Sequence, residues 1–137
     1  MALAEITERP LDLQRHLAEV SGPGFGAVAT FVGQIRDHDP DARGDVERLE
    51  YSAHPDAAAI IARIAEEVEH EGISVAVSHR TGTLEVGEAA LIACVAAAHR
   101  AEAFEANRQL VERVKAEVPI WKKQIVAGGS HNWQGLR

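Results

Sequence analysis

The segment Ala89–Ala98 reads AALIACVAAA, ten residues without one polar side chain. In a strand, successive side chains alternate between faces, so such a segment must be covered on both sides. It is half the roughly 20 residues that a membrane-crossing helix requires. A buried strand in a layered domain is the remaining reading. So much two-faced apolar sheet exceeds what one small domain covers, which predicts self-association into a dimer. The single cysteine, Cys94, lies inside the run and reads as a space-filling thiol, which leaves no internal disulfide framework.

The other elements follow from periodicity. Leu3–Thr7 reads as a short strand. Pro10 suits a first helical position, with Leu13, Leu17 and Val20 following at helical spacing until Gly22-Pro23-Gly24. Phe25–Ile35 is β-rich and apolar on both faces (Val28, Thr30, Val32 against Ala27, Ala29, Phe31), which predicts a second central strand. Arg36–Asp45 is polar and turn-rich, so residues 37–45 are expected to form a mobile loop. Val46–Tyr51 reads as a strand. Residues 55–71 read as a helix opened by Pro55, striped by Ile60, Ile61, Ile64 and Val68, and closed by Gly72.

Ile73, Val75 and Val77 alternate as a strand, and a connector with Gly82 and Gly87 leads into Ala89–Ala98. A long helix spans about Arg100–Glu117, with Phe104, Asn107, Val111, Val114 and Val118 on one side, and Pro119 stops it. The tail holds a short strand, Gln124–Ala127, and a turn at Gly128-Gly129-Ser130. Helices and antiparallel strand pairs mix within 137 residues. The expectation is therefore a single α+β domain over residues 1–137, with a mixed or antiparallel sheet and about three helices.

Charge narrows the functional classes. The net charge of −7 opposes general nucleic-acid binding. His99–Lys123 is nevertheless net basic within this acidic chain, which suits a small anionic ligand. The N-terminal MALAEITERPLDL shows no basic stretch followed by an apolar core, so the expected address is the cytoplasm.

Metal sites are not indicated. Asp37, Asp39 and Asp41 alternate like the start of a calcium loop, but its glycine and glutamate positions hold Ala42 and Arg48. The seven histidines lack ligand spacing. Two features remain. His99-Arg100 falls where strand gives way to helix; it reads either as a capping pair or as a phosphate or carboxylate site at the helix N-terminus. Lys115 sits beside apolar Val114, and Lys122 follows Pro119-Ile120-Trp121. They read either as two surface lysines or as amines held against a desolvated wall formed by Pro119 and Trp121, where burial makes an amine a usable base or nucleophile.

Taken in order, FVGQIRDHD (31–39), LEYSAHPDA (49–57), HRTGTLEVGEAAL (79–91), AAAHRAEAFEA (96–106), VKAEVPIWKKQ (114–124) and GGSHNWQG (128–135) resemble the large-subunit family of molybdopterin synthase. The resemblance covers nearly all of residues 1–135. It implies an α/β-hammerhead-like fold and a sulfurtransferase that converts cyclic pyranopterin monophosphate to molybdopterin without a cofactor of its own. It further implies that sulfur arrives as a thiocarboxylate on the C-terminal Gly-Gly of a small ubiquitin-like subunit, and that a homodimer of large subunits lies within a heterotetramer. By resemblance Lys115 and Lys122 are catalytic, and Arg36, His99, Arg100 and Lys123 bind substrate.

The chain departs from the family pattern at Gln124, where an acidic residue is common, and in its short C-terminal tail. A non-catalytic paralogue that binds a pterin phosphate, or merely docks a ubiquitin-like partner, is the alternative. The presence of both lysines speaks against it.

Overall fold

The computed structural model describes residues 2–37, 46–70, 72–126 and 131–135. The element order is β1 (Leu3–Thr7), α1 (Leu13–Val20), β2 (Ala27–Gln34), β3 (Val46–Ala53), α2 (Ala57–Val68), β4 (Ile73–Arg80), β5 (Gly82–Glu85), β6 (Ala89–Ala97), α3 (Arg100–Glu117), β7 (Ile120–Val126) and β8 (His131–Gly135). These make an α+β domain with three helices among the described residues. One sheet runs β1-β4-β6-β2 and the other β5-β3-β7-β8. The β1–β4 pair is parallel and the other pairs are antiparallel.

β6 is central to the first sheet and buried on both faces. Leu91, Ala93, Val95 and Ala97 join the main core, which also takes Ile61, Ile64 and Val68 from α2 and Leu110, Val111 and Val114 from α3. On the reverse face Ile92, Cys94 and Ala96 pack with Val20, Leu13 and Leu17 of α1. Its alanines keep the sheet surface shallow, so helices approach closely on both sides. Burial raises the pKa of the Cys94 thiol, opposed by a contact with the Thr30 hydroxyl.

Several expectations are corrected. β2 is an edge strand: only β6 pairs with it, and Val28 is 40% exposed. Apolar faces could not distinguish a central strand from an edge awaiting cover. α1 starts at Leu13 because the Asp12 carboxylate caps it, accepting from the backbone N–H groups of Gln14 and Arg15 at 3.0 and 3.4 Å. α2 occupies only Ala57–Val68, since Glu69 turns extended and its carboxylate accepts the Val75 N–H at 3.1 Å.

The expected connector contains a strand, β5, opened by Gly82 at φ +90° and anchored by fully buried Leu84. β7 begins four residues before the strand expected at Gln124, and β8 extends the same sheet. Phe104 is not on the buried stripe of α3: it is 66% exposed, and Ala103 and Leu110 lie in the core instead. Most of the expected mobile loop (38–45), Ala127 and the Gly128-Gly129-Ser130 turn lie outside the described residues.

Candidate active site

Two of the connections leading into the second sheet frame the site. β4 passes through Thr81 into β5, and α3 passes through Val118 and Pro119 into β7. The first carries a chain from one sheet to the other just past His79. The second places Lys115, in the last turn of α3, seven residues before Lys122 on β7. The α3 end is held by Arg113, which reaches Glu117 at 2.8 Å and Glu67 of α2 at 2.6 Å.

Strand parity sorts the tail lysines. Ile120 and Gln124 of β7 are buried, so Lys122 between them projects from the same inner face. Its register partner on β3 is Tyr51, and directly opposed residues share a face. Lys123 projects from the other face, where its ammonium lies 3.9 Å from Glu50. Trp121 is on that outer face too, 43% exposed and near His54, with ring centroids 6.5 Å apart. The expected Pro–Trp wall beside Lys122 is therefore not Trp121; the aromatic neighbour is Tyr51.

Tyr51 meets His79 edge to face, with ring centroids 5.0 Å apart and planes at 76°. His79 is buried on β4, and its Nδ1–H donates to the Arg80 carbonyl at 2.7 Å, which leaves Nε2 unprotonated. Burial pulls the imidazole pKa down to about 4; the Arg80 bond opposes this and the nearby Lys115 charge adds to it. Burial also pushes the Tyr51 phenol up to about 12. Both rings are thus neutral through the physiological range. Sequence reasoning missed the pair, although the sole tyrosine and a histidine within an apolar strand were available signals.

Arg36 follows β2 and is exposed. β2 runs antiparallel to β6, with Ala27 opposite Ala97 and Gln34 opposite Ala89. Arg36 therefore lies at the end of the sheet where β6 begins. His79, opposite Leu91, is near the same end. α3 leaves the far end of β6 and runs back, so its C-terminal Lys115 returns toward Arg36 and His79. His99 and Arg100 remain at the far end. Fifteen residues of helix separate Arg100 from Lys115, roughly 22 Å at 1.5 Å per residue. His99 occupies the N-cap position, but its side chain makes no capping hydrogen bond. Within one chain the structure brings together Lys115, Lys122, Tyr51 and His79, with Arg36 at the same end of the sheet. It leaves His99 and Arg100 apart and turns Lys123 outward.

Two primary amines above a neutral aromatic floor, with an arginine at the same end, form a centre suited to proton transfer on an anionic substrate. The fold defines a small α+β domain that gathers two lysines beside a buried Tyr–His pair at one end. Residues 6–117 match the family model described as MoaE protein. A molybdopterin synthase catalytic subunit 1 from Mycobacterium tuberculosis is 45% identical, over 96% of this chain and 90% of that protein. The crystal structure of molybdopterin synthase from Staphylococcus aureus superposes with a TM-score of 0.87 at 34% identity, covering 96% of each chain. A Helicobacter pylori chain, solved as a complex of subunits 1 and 2 of molybdopterin-converting factor, shares the fold at TM-score 0.75 and 20% identity, over 97% of this chain and 88% of that one. The chain belongs to the MoaE family, the catalytic subunits of molybdopterin synthase, which act in molybdenum cofactor biosynthesis. Among the described residues no helix is long and apolar enough to cross a membrane.

Proposed function

We propose that this chain converts cyclic pyranopterin monophosphate to molybdopterin, taking sulfur from the C-terminal thiocarboxylate of a small ubiquitin-like subunit. The observation that carries the reading is the convergence of Lys115 and Lys122 on the Tyr51–His79 floor, from a helix end and a strand of the second sheet. Sulfur transfer needs groups that give and take protons, which an amine can do and a permanently charged arginine cannot. Arg36 anchors the anionic substrate, and Lys123 contributes charge from the outer face.

His99 and Arg100 bind the substrate phosphate from a second copy of the chain. At roughly 22 Å along the helix they cannot reach the Lys115 of their own chain, so a homodimer supplies them in trans. The exposed apolar side chains Val28 and Phe104, beside the open edge of β2, support such a dimer face. The full assembly carries one small subunit on each catalytic subunit, its Gly-Gly tail entering the lysine site because only glycines pass a narrow channel without side-chain clashes.

The test combines this protein, thiocarboxylated small subunit and cyclic pterin in an assay for dithiolene product. Lys115→Ala and Lys122→Ala should fold and bind the small subunit, yet lose about 10²-fold or more of the rate. Lys123→Ala should be milder. A small subunit lacking its two glycines should give no product. Dimers re-formed from equal amounts of Lys115→Ala and Arg100→Ala chains should recover about a quarter of the wild-type rate, because each mixed dimer contains one intact site. Undiminished turnover in both lysine variants would leave a pterin-binding paralogue as the better reading.

A further inference from the structure

We propose that Tyr51 and His79 are a positioning pair: their edge-to-face contact across the seam of the two sheets sets where Lys115 and Lys122 stand relative to each other. The inference rests on the lysine reading above and deepens it. Lys115 and Lys122 belong to different elements, and the chain between them turns at Val118-Pro119. Their separation is therefore governed by what packs beneath them.

That packing has a definite layout. Tyr51 lies between Lys122 on β7 and Gly82 on β5 in the strand register. The φ of +90° at Gly82 keeps that position suited to glycine. His79 is flanked on its own sheet by Ile6 of β1 and Leu91 of β6, both apolar. The groups that bear on it are Tyr51 from β3, Lys115 from α3 and the Arg80 carbonyl of its own strand.

Each ring thus addresses one amine: Tyr51 is the strand neighbour of Lys122, and His79 lies within the field of Lys115. The ring contact links the two halves. An imidazolium at this position would put a second cation beside Lys115; burial keeps the ring neutral instead, against the bond from Nδ1 to the Arg80 carbonyl. Neither ring is assigned a chemical step. Their effect on catalysis is exerted through the lysines, where a misplacement of about 1 Å can cost up to 10²-fold in rate.

The experiment has a kinetic arm and a spectroscopic arm. In the kinetic arm, Tyr51→Leu removes the ring and Tyr51→Phe restores it without the hydroxyl. With thiocarboxylated small subunit and cyclic pterin, Tyr51→Leu should lower kcat about tenfold or more while KM stays within about twofold. Tyr51→Phe should recover most of that loss. A rise in KM alone, or Tyr51→Phe as impaired as Tyr51→Leu, overturns the proposal.

In the spectroscopic arm, the His79 ring is titrated by NMR in the resting protein and in Lys115→Met. Removing the ammonium should move the His79 midpoint upward, because a nearby cation disfavours the imidazolium. An unmoved midpoint shows that Lys115 does not stand over His79 and overturns the proposal. Lys115 is partly exposed at a helix end, so this arm decides the matter even where Tyr51→Leu does not fold. It needs no turnover. Should Lys115→Ala remain fully active, the catalytic reading fails on its own account, and the NMR shift still reports whether the pair and the lysine are coupled.

Discussion

Among the described residues, His79 should make the fold sensitive to acid. Its imidazole is held neutral in the fold down to about 4, whereas in the unfolded chain it protonates near 6.5. A group with a depressed folded pKa stabilises the native state fully above the unfolded value. That contribution is lost as pH falls from about 6.5 to about 4, because the unfolded chain binds a proton that the native state refuses. At 1.36 kcal/mol per pH unit the gap corresponds to about 3 kcal/mol. Against a total stability on the order of 5–15 kcal/mol, that is a large fraction.

Urea unfolding between pH of about 7.5 and about 4 measures the effect, with His79→Gln as the reference. Glutamine does not titrate, and its amide N–H can replace the imidazole N–H as donor to the Arg80 carbonyl. Glu88 and Glu117, whose carboxylates are held below their usual range, lose stability in the same direction on acidification. Glu88 is held by the Glu85 N–H and by Arg80; Glu117 is held chiefly by Arg113. Both remain in the variant and cancel in the difference. The wild-type curve should therefore fall more steeply than that of His79→Gln, the two converging by about 3 kcal/mol across the window. Parallel curves would refute the claim that the fold holds His79 uncharged.

Three further outcomes are expected. Tyr51 is the only tyrosine, so tyrosinate absorbance reports it alone: the native midpoint should lie at about 12, with stability present below about 10 and lost as pH rises from there, and a native midpoint near 10 contradicts its burial. Leu84→Ala should cost about 2–5 kcal/mol in urea unfolding, since that fully buried leucine anchors β5; a loss under about 1 kcal/mol would show that β5 is not held by it. Phe104→Glu should leave the fold intact, because the side chain is 66% exposed, yet shift sedimentation at micromolar concentration from dimer to monomer; an unchanged dimer would place the interface elsewhere.

The helices and the central strand were legible because their signals are local. Ala89–Ala98 shows its two-sided burial in composition alone, and Ile61, Ile64 and Val68 announce the inner face of α2 by spacing. What failed depends on partners distant in sequence. β2 is apolar on both faces yet lies at an edge, because strand order is decided by β1, β4 and β6. β5 has four residues and one buried apolar side chain, too little pattern to stand apart from a turn. Phe104 fits the helical stripe by spacing, but the buried face of α3 runs through Ala103, Asn107 and Leu110, and Phe104 falls beside it.

The site divides along the same line. Lys115 and Lys122 were found by resemblance and by their neighbours in sequence, but the stated reason for Lys122, a wall formed by Pro119 and Trp121, does not describe what surrounds it. In a strand the residue next in sequence is on the opposite face, so Trp121 and Lys123 are the side chains least able to shape the surroundings of Lys122. Its real neighbours are two residues away along β7, at Ile120 and Gln124, and across the ladder at Tyr51. Register across two sheets cannot be read from one strand, so Tyr51 and His79 stayed invisible until β3, β4 and β7 were placed together. The same parity gives the two adjacent lysines different tasks: Lys123 pairs with Glu50 on the outer face, while Lys122 is held inward, over the seam that Lys115 approaches from the helix.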